Sequence, residues 1–257
     1  MSDWIRSHVI DVPNEVTEFC GDLLRGARVL NVGCGEMLTD LGLLGLGPKM
    51  ITGLDVTSKG DDWLEVVAHK VQAAGIDFSS DYRERIAFTM YDGVNFPFEN
   101  GSFDIIFSWS AFEHVLDVPQ VLREMRRVLA PGGQVFIQVF PWYHSRLGSH
   151  LTDYIIEPFF QTKRSSEWVK DQLSAYVAAT TGADPDFILK YMAAEYESLN
   201  RMSPSQFYKD VVDAGFIVTK ARLIAYDEDL SHAPADVAFS DLMIGGTVML
   251  LKAKTED

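Results

Sequence analysis

The chain has 257 residues, 47% hydrophobic and 23% charged, which is enough to bury a sizeable core and too apolar for a disordered segment. Lys+Arg 22 against Asp+Glu 37 leaves a net charge of −15 with no basic run to offset it, which argues against a nucleic-acid partner and favours a small acceptor or substrate. Cys20 and Cys34 are too few for a disulfide framework, no stretch approaches the roughly 18 apolar residues of a membrane span, and residues 1–15 lack a signal-peptide core, so a soluble cytoplasmic protein with reduced thiols is expected.

In chain order, the first apolar β-branched run predicts a strand over Arg28–Val32 that breaks into Gly33-Cys34-Gly35. A second strand is predicted over Met50–Leu54. A helix follows, with Trp63, Leu64, Val67, Val71 and Ala74 at helical spacing, Asp61 and Asp62 at its first turn and Gly75 as its stop. Strands over Arg85–Met90 and Asp104–Trp109 come next. Asp117 then caps a helix carrying Val118, Val121, Leu122, Met125 and Val128 on one face, and Ala130–Gly133 turns it into a strand over Gly133–Val139. Strands that alternate with amphipathic helices predict an α/β fold whose parallel sheet is covered on both faces.

From Pro141 the alternation lapses. Two helical patterns occupy residues 141–202, one around Trp168, Val169, Leu173, Tyr176 and Val177, the other around Phe187, Ile188, Tyr191, Met192 and Leu199. An insertion of this length needs structure of its own, and such segments commonly cap active sites; a peripheral helical pair is the plainer alternative. The pattern resumes with a helix from Ser203 and Pro204 through Phe207, Tyr208, Val211 and Val212, stopped by Gly215. Residues 216–226 and 241–254 read as closing strands. One domain, 1–257, with a helical insertion at 141–202 is therefore expected.

The glycine turn poses the chemical question. A dinucleotide site would read G-x-G-x-x-G, with the pyrophosphate on the helix N-terminus. Here Leu38 stands where the third glycine would be, and the carboxylate of Glu36 would repel a pyrophosphate, so NAD and FAD are disfavoured. A cationic nucleoside would tolerate both features. Asp55, at the end of the second strand, is placed to accept from ribose hydroxyls, and Asp92, at the end of the third, from an exocyclic amine.

With these strand ends in register, the chain resembles the class I S-adenosylmethionine-dependent methyltransferases, particularly those acting on small molecules. The likeness rests on "VLNVGCG", "GLDV", "YDGVNFPFENGSFDIIFSWSAFEHV", "LREMRRVLAPGGQVFIQV" and, more loosely, "RMSPSQFYKDVVDAGFIV"; residues 141–202 lie outside it. It implies a Rossmann-like, seven-stranded sheet with an antiparallel last strand and S-adenosylmethionine across the carboxyl ends of strands one to four. Carried over by position, Gly33, Cys34 and Gly35 would approach the methionine part, Asp55 the ribose, Val56 an adenine face, and Asp92 with Gly93 the adenine edge; Ser108 would line the methionine side. The family usually has Asp or Glu at Asn31, near the ligand's ammonium, and Gly at Met37. An asparagine there can still accept through its carbonyl.

Methyl transfer is an in-line displacement that needs a base only when the acceptor must lose a proton, and histidine is the usual candidate near neutral pH. His114 in "SAFEHV" follows the fourth strand and is the candidate catalytic residue; a locally hydrogen-bonded histidine is the alternative. Trp109 and the loop "FPWYHSRLGSHL", with Trp142, Tyr143, His144, Arg146 and His150, are expected to shape the acceptor site. His150, Asp153 and Glu157 would share a face if that segment were helical, but no other part of the chain matches a ligand motif and no resident metal is expected. The leading reading is a methyltransferase acting on a small molecule at oxygen. A non-catalytic binder of S-adenosylmethionine or its product and, more weakly, a nicotinamide-dependent oxidoreductase stand as alternatives. The acceptor and the oligomeric state are not legible.

Overall fold

The computed structural model describes residues 2–254. Seven strands form one sheet: β1 Arg28–Val32, β2 Met50–Asp55, β3 Ile86–Met90, β4 Phe103–Trp109, β5 Leu129–Val139, β6 Phe216–Ala225 and β7 Ile244–Ala253. Their order is β3-β2-β1-β4-β5-β7-β6. The pairs from β3 to β5 are parallel, and β7 runs antiparallel to both β5 and β6.

Both faces of the central strands are buried, which is why β1, β2 and β4 read as nearly continuous apolar runs, whereas the edge strand β6 is largely exposed. Val29 and Leu30 are each fully buried yet belong to opposite faces. On one face Val29, Ile51, Ile105, Phe107 and Phe136 pack beneath the helices Leu38–Leu43 and Trp63–Ala73 and the N-terminal helices Ser2–Arg6 and Val12–Cys20. On the other, Leu30, Val32, Leu54, Ile106 and Val135 pack beneath helices Val118–Val128 and Pro204–Asp213. The Asp117 cap is present, with its Oδ1 accepting from Gln120 N at 3.0 Å. The sequence pattern predicts no element in residues 2–20, whose Ile5, Val9, Val12 and Val16 nonetheless complete the first core.

Two boundaries differ instructively. β5 begins at Leu129 rather than Gly133: Phe103 pairs with Leu129, and the ladder then jumps to Ile105–Gln134, so the Pro-Gly-Gly segment bulges out of a strand already begun. The residues expected to start the last strand form a short helix, Phe239–Met243, before β7.

Residues 141–202 carry a separate hydrophobic cluster that includes Tyr143, Leu151, Phe160, Leu173 and Tyr196. Its helix Ser166–Ala179 is capped by Ser165, and a π-helical stretch Phe187–Met192 continues into helix Ala193–Ser198. Asn200 ties this cap to the loop after β4. Its Nδ2 donates to the carbonyls of Phe112 at 2.6 Å and Val115 at 2.8 Å, and its backbone N–H to that of Glu113 at 2.9 Å. The chain runs outward from β1 to β2 and β3 and then crosses back to β4 on the other side of β1, and this reversal opens the crevice at the carboxyl ends where such sheets hold ligands. Among the described residues, no helix is long and apolar enough to cross a membrane.

Candidate functional site

The first loop is built by two left-handed glycines. Gly33, at φ 72°, donates to Leu54 O at 2.8 Å, and a Cβ there would meet that of Ala111 at 2.3 Å. Glycine thus lets the exit of β1 touch the exit of β4. Gly35, at φ 50°, donates its N–H to Asp55 Oδ2 at 2.9 Å, while Asp55 Oδ1 accepts from Thr57 N at 2.9 Å. Asp55 therefore fixes two loops and keeps a lone pair on each oxygen. Beside it Val56 is exposed, and a Cβ on Gly93 would lie 3.5 Å from its Cγ1, so the two form a flat apolar step across the ends of β2 and β3. Asp92 accepts from Val94 N, Asn95 N and Asn95 Nδ2, and these bonds hold its carboxyl below the usual carboxylate range. A free carboxylate edge for ribose, an apolar step for a base, and open space over Gly35 fit an S-adenosylmethionine ligand.

Behind this loop lies a residue that sequence reasoning passes over. Asn31 is buried and its Nδ2 donates to Asp40 Oδ2 at 2.9 Å. Asp40 is fully buried, its Oδ1 has no partner, and burial pushes its carboxyl up to about 7. Asp40 thus sets a carboxyl directly behind Asn31 and commits the amide nitrogen, so that the carbonyl of Asn31 stays available as an acceptor. An aspartate set among the leucines of "MLTDLGLL" is the signal that could have found it.

Met37 sits at φ 64°, in the conformation that glycine takes without cost, and is fully buried against Gly53, where a Cβ would come within 2.4 Å of its Cε. Glu36 is ion-paired to Lys70 at 2.9 Å, which weakens the repulsion argument against a pyrophosphate; the six-residue helix Leu38–Leu43, entered through a buried methionine, carries that argument instead. Cys34 is buried, which drives its thiol far above the reactive range.

The acceptor side requires corrections. Ser108 is fully buried and spends its hydroxyl on Val32 O at 2.9 Å, so it joins β1 to β4 and does not line a pocket. Trp142 is 1% exposed and packs on Phe207; Tyr143 is buried and its hydroxyl donates to Gln161 O. Both are core residues, because the loop after β5 dives beneath the cap. Arg146 points to solvent beside Glu228 at 3.6 Å, and His144, half-buried against Tyr143, has its pKa lowered by burial. Trp109 lies half-buried, stacked on Phe136 with centroids 6.2 Å apart. The His150, Asp153, Glu157 helix face does not form: residues 151–156 contain turns and no helix, and Glu157 pairs with Arg164 at 2.9 Å.

His150 instead meets His114, with ring centroids 5.4 Å apart. Donor atoms of Glu113, His114 and His150 lie within 4.8 Å of one another. Glu113, missed in the sequence because it neighbours the more conspicuous histidine, is buried, and burial pushes its carboxyl up to about 8. Burial lowers the pKa of His114 and takes that of His150 down to about 4. Ser198 donates its one hydroxyl proton to Glu195 O at 2.8 Å and so accepts from His114 Nδ1 at 2.7 Å. His114 therefore carries its proton on Nδ1 and leaves Nε2 as a lone pair, 3.5 Å from Glu195 Oε2.

Residues 30–137 match the family model described as a methyltransferase domain. Among curated relatives, the methyltransferase GfsG of Streptomyces halstedii is 33% identical over 116 residues, 45% of this chain and 38% of that protein. The 27-O-demethylrifamycin SV methyltransferase of Amycolatopsis mediterranei is 27% identical over 118 residues, 46% of this chain and 40% of that one. The chain therefore spans about two fifths of the length of these relatives. In fold it resembles a geranyl diphosphate methyltransferase solved in complex with SAM, with a TM-score of 0.57 at 12% identity, covering 95% of this chain and 84% of that one. The matched segment carries the glycine loop, Asp55, Asp92 and β4, so residues 30–137 are similar to a methyltransferase domain.

Proposed function

We propose that the protein transfers a methyl group from S-adenosylmethionine to an oxygen of a small molecule. The observation that carries this reading is the Gly35 N–H to Asp55 hydrogen bond beside the Val56–Gly93 step, which sets a carboxylate edge and an apolar face side by side at the ends of β1 to β3. When bound, S-adenosylmethionine supplies a methyl group on an already activated sulfonium leaving group. The chain's own residues then hold and desolvate: Asp55 accepts from the ribose, Val56 and Gly93 flank the base, Asp92 faces its edge, and the Asn31 carbonyl accepts from the ammonium.

Oxygen is favoured over nitrogen for a physical reason. A hydroxyl must shed a proton as it is methylated, a neutral amine does not, and the loop after β4 supplies an imidazole lone pair on His114 Nε2. The 27-O-methyltransferase relative is consistent with this choice. Neither Trp142 nor Tyr143 contacts the acceptor in this proposal; His114, His150 and the cap residues Glu195 and Ser198 border it, and the cap excludes water.

The test has two parts. S-adenosylhomocysteine at about 100 times its dissociation constant should stabilise the protein by roughly 2.7 kcal/mol in a thermal-shift assay while NADH does nothing; the reverse would sink the proposal and revive the oxidoreductase. Asp55→Ala should abolish that shift. His114→Ala should retain it and lower turnover on an oxygen acceptor by about 10²–10⁴-fold. Equal loss of binding in both variants would refute this division of roles.

A further inference from the structure

We infer that Glu113, His114 and His150 form a binding site for a first-row divalent cation such as zinc, manganese or ferrous iron. One donor atom from each lies within 4.8 Å of the others, and the three come from the loop after β4 and the loop after β5, which meet only in the fold. This reverses the expectation of no resident metal.

The second observation is polar accounting. Glu113 is 3% exposed and neither carboxylate oxygen has a hydrogen-bond partner; His150 Nε2 is also buried without one. A buried carboxylate with no partner costs several kcal/mol, so such groups are normally paired or bound to metal. No lysine or arginine pairs with Glu113 among the described residues, and a second carboxylate, that of Glu195, lies 3.5 Å from His114 Nε2. Two imidazoles and the Glu113 carboxylate so placed form a ligand set for a cation.

The surroundings are those of a ligand set. Ser198 fixes the proton of His114 on Nδ1 and leaves Nε2 unprotonated, as a metal-bound imidazole requires, and a hydrogen bond to the distal ring nitrogen is the usual support of such a ligand. Asn200 N–H holds the carbonyl of Glu113, which fixes the backbone that presents the carboxylate. His150 is held at φ 59°, a strained conformation that persists only where its surroundings impose it. Two nitrogens and one oxygen suit zinc, manganese or ferrous iron better than magnesium or calcium, which prefer all-oxygen shells.

Binding itself stands on these side chains alone. Its bearing on catalysis rests on the methyltransferase reading: activation of the acceptor by His114 would then take the form of ligation, with the cation lowering the pKa of the acceptor hydroxyl.

The experiment uses the full chain, stripped with EDTA and dialysed. Cobalt(II) is titrated in and followed by its visible ligand-field bands; zinc is measured by competition with a chromophoric chelator, and magnesium by calorimetry. We expect one cobalt or zinc per chain and far weaker magnesium binding. Glu113→Gln and His150→Asn should each lower zinc affinity by at least the roughly 10–100-fold that loss of a ligand's hydrogen-bond partner costs. Each variant is checked in parallel for its thermal shift with S-adenosylhomocysteine, which a folded variant retains. Absence of stoichiometric binding, or affinity unchanged in both variants, overturns the site. A metal-binding protein that S-adenosylhomocysteine never stabilises would instead overturn the functional reading and leave the site standing.

Discussion

Residues 30–137 and residues 141–202 bring polar groups to the proposed site by opposite means. In the first region every proposed contact comes from a strand end, and the parallel register brings these ends together automatically: Asn31 lies opposite Gly53, Val32 opposite Leu54 and Asp55 opposite Met90. In the second region the groups that matter, Glu195, Ser198 and Asn200, sit at the end of a helical segment and meet the loop after β4 through contacts more than 80 residues apart in the chain. A site built on a periodic scaffold can be read by counting along the chain. One built by docking a cap cannot.

Three experiments would break or sharpen that contrast. Trp142, an acceptor contact by its place in the sequence, is a core residue by its burial, so Trp142→Ala should cost about 3–5 kcal/mol in urea-monitored stability. Trp142→Phe should be far milder, because it keeps most of the ring's burial and removes an indole N–H that has no partner. If Trp142→Phe instead raised the acceptor KM with stability unchanged, the tryptophan would belong to the site after all.

Met37→Gly is a smaller effect with two opposing parts. Relief of the left-handed backbone is worth about 1–2 kcal/mol, while emptying the space of a fully buried methionine costs about 2–5, so the variant should be less stable by up to roughly 4 kcal/mol. A stabilised variant would mean that the loop collapses onto Gly53 and closes the cavity.

The third experiment reads a pH dependence. Asp40 titrates near 7 in the folded protein and near 3.8 as its ordinary value, because burial disfavours its charge. Between these values the native state binds more protons than the unfolded state, so this carboxyl's contribution is complete below about pH 4 and is lost as pH rises through 7. Urea midpoints measured across that range should fall for the wild type, and Asp40→Asn should remove this part of the slope; an unchanged slope would place the ionised carboxylate in the native protein throughout.

Much of the fold is legible because its central strands are buried on both faces and helices such as Val118–Val128 carry one apolar stripe. The chain order of strands, the Asp117 and Ser203 caps and the positive-φ glycines at 75 and 215 all follow from local chemistry. What escapes is decided at a distance. Ser108 reads like a ligand-side hydroxyl until Val32 O is seen to take it, and Trp142 and Tyr143 read like a binding loop because aromatic residues that fill a core and those that line a pocket are the same residues. His150 reads as one member of a helix face and matters instead through His114, to which no spacing rule connects it.

The Asn31–Asp40 pair carries one more consequence. Together the two residues hold one carboxyl and one carboxamide, so their roles can be traded only as a unit. Asn31→Asp alone would set two acids against each other in a dry interior, where only one can ionise. Made together with Asp40→Asn, the exchange conserves charge, volume and hydrogen-bonding groups. Anyone moving this loop to or from a similar domain is therefore moving a two-position module, and a comparison of position 31 by itself would miss the carboxyl that Asp40 supplies behind it.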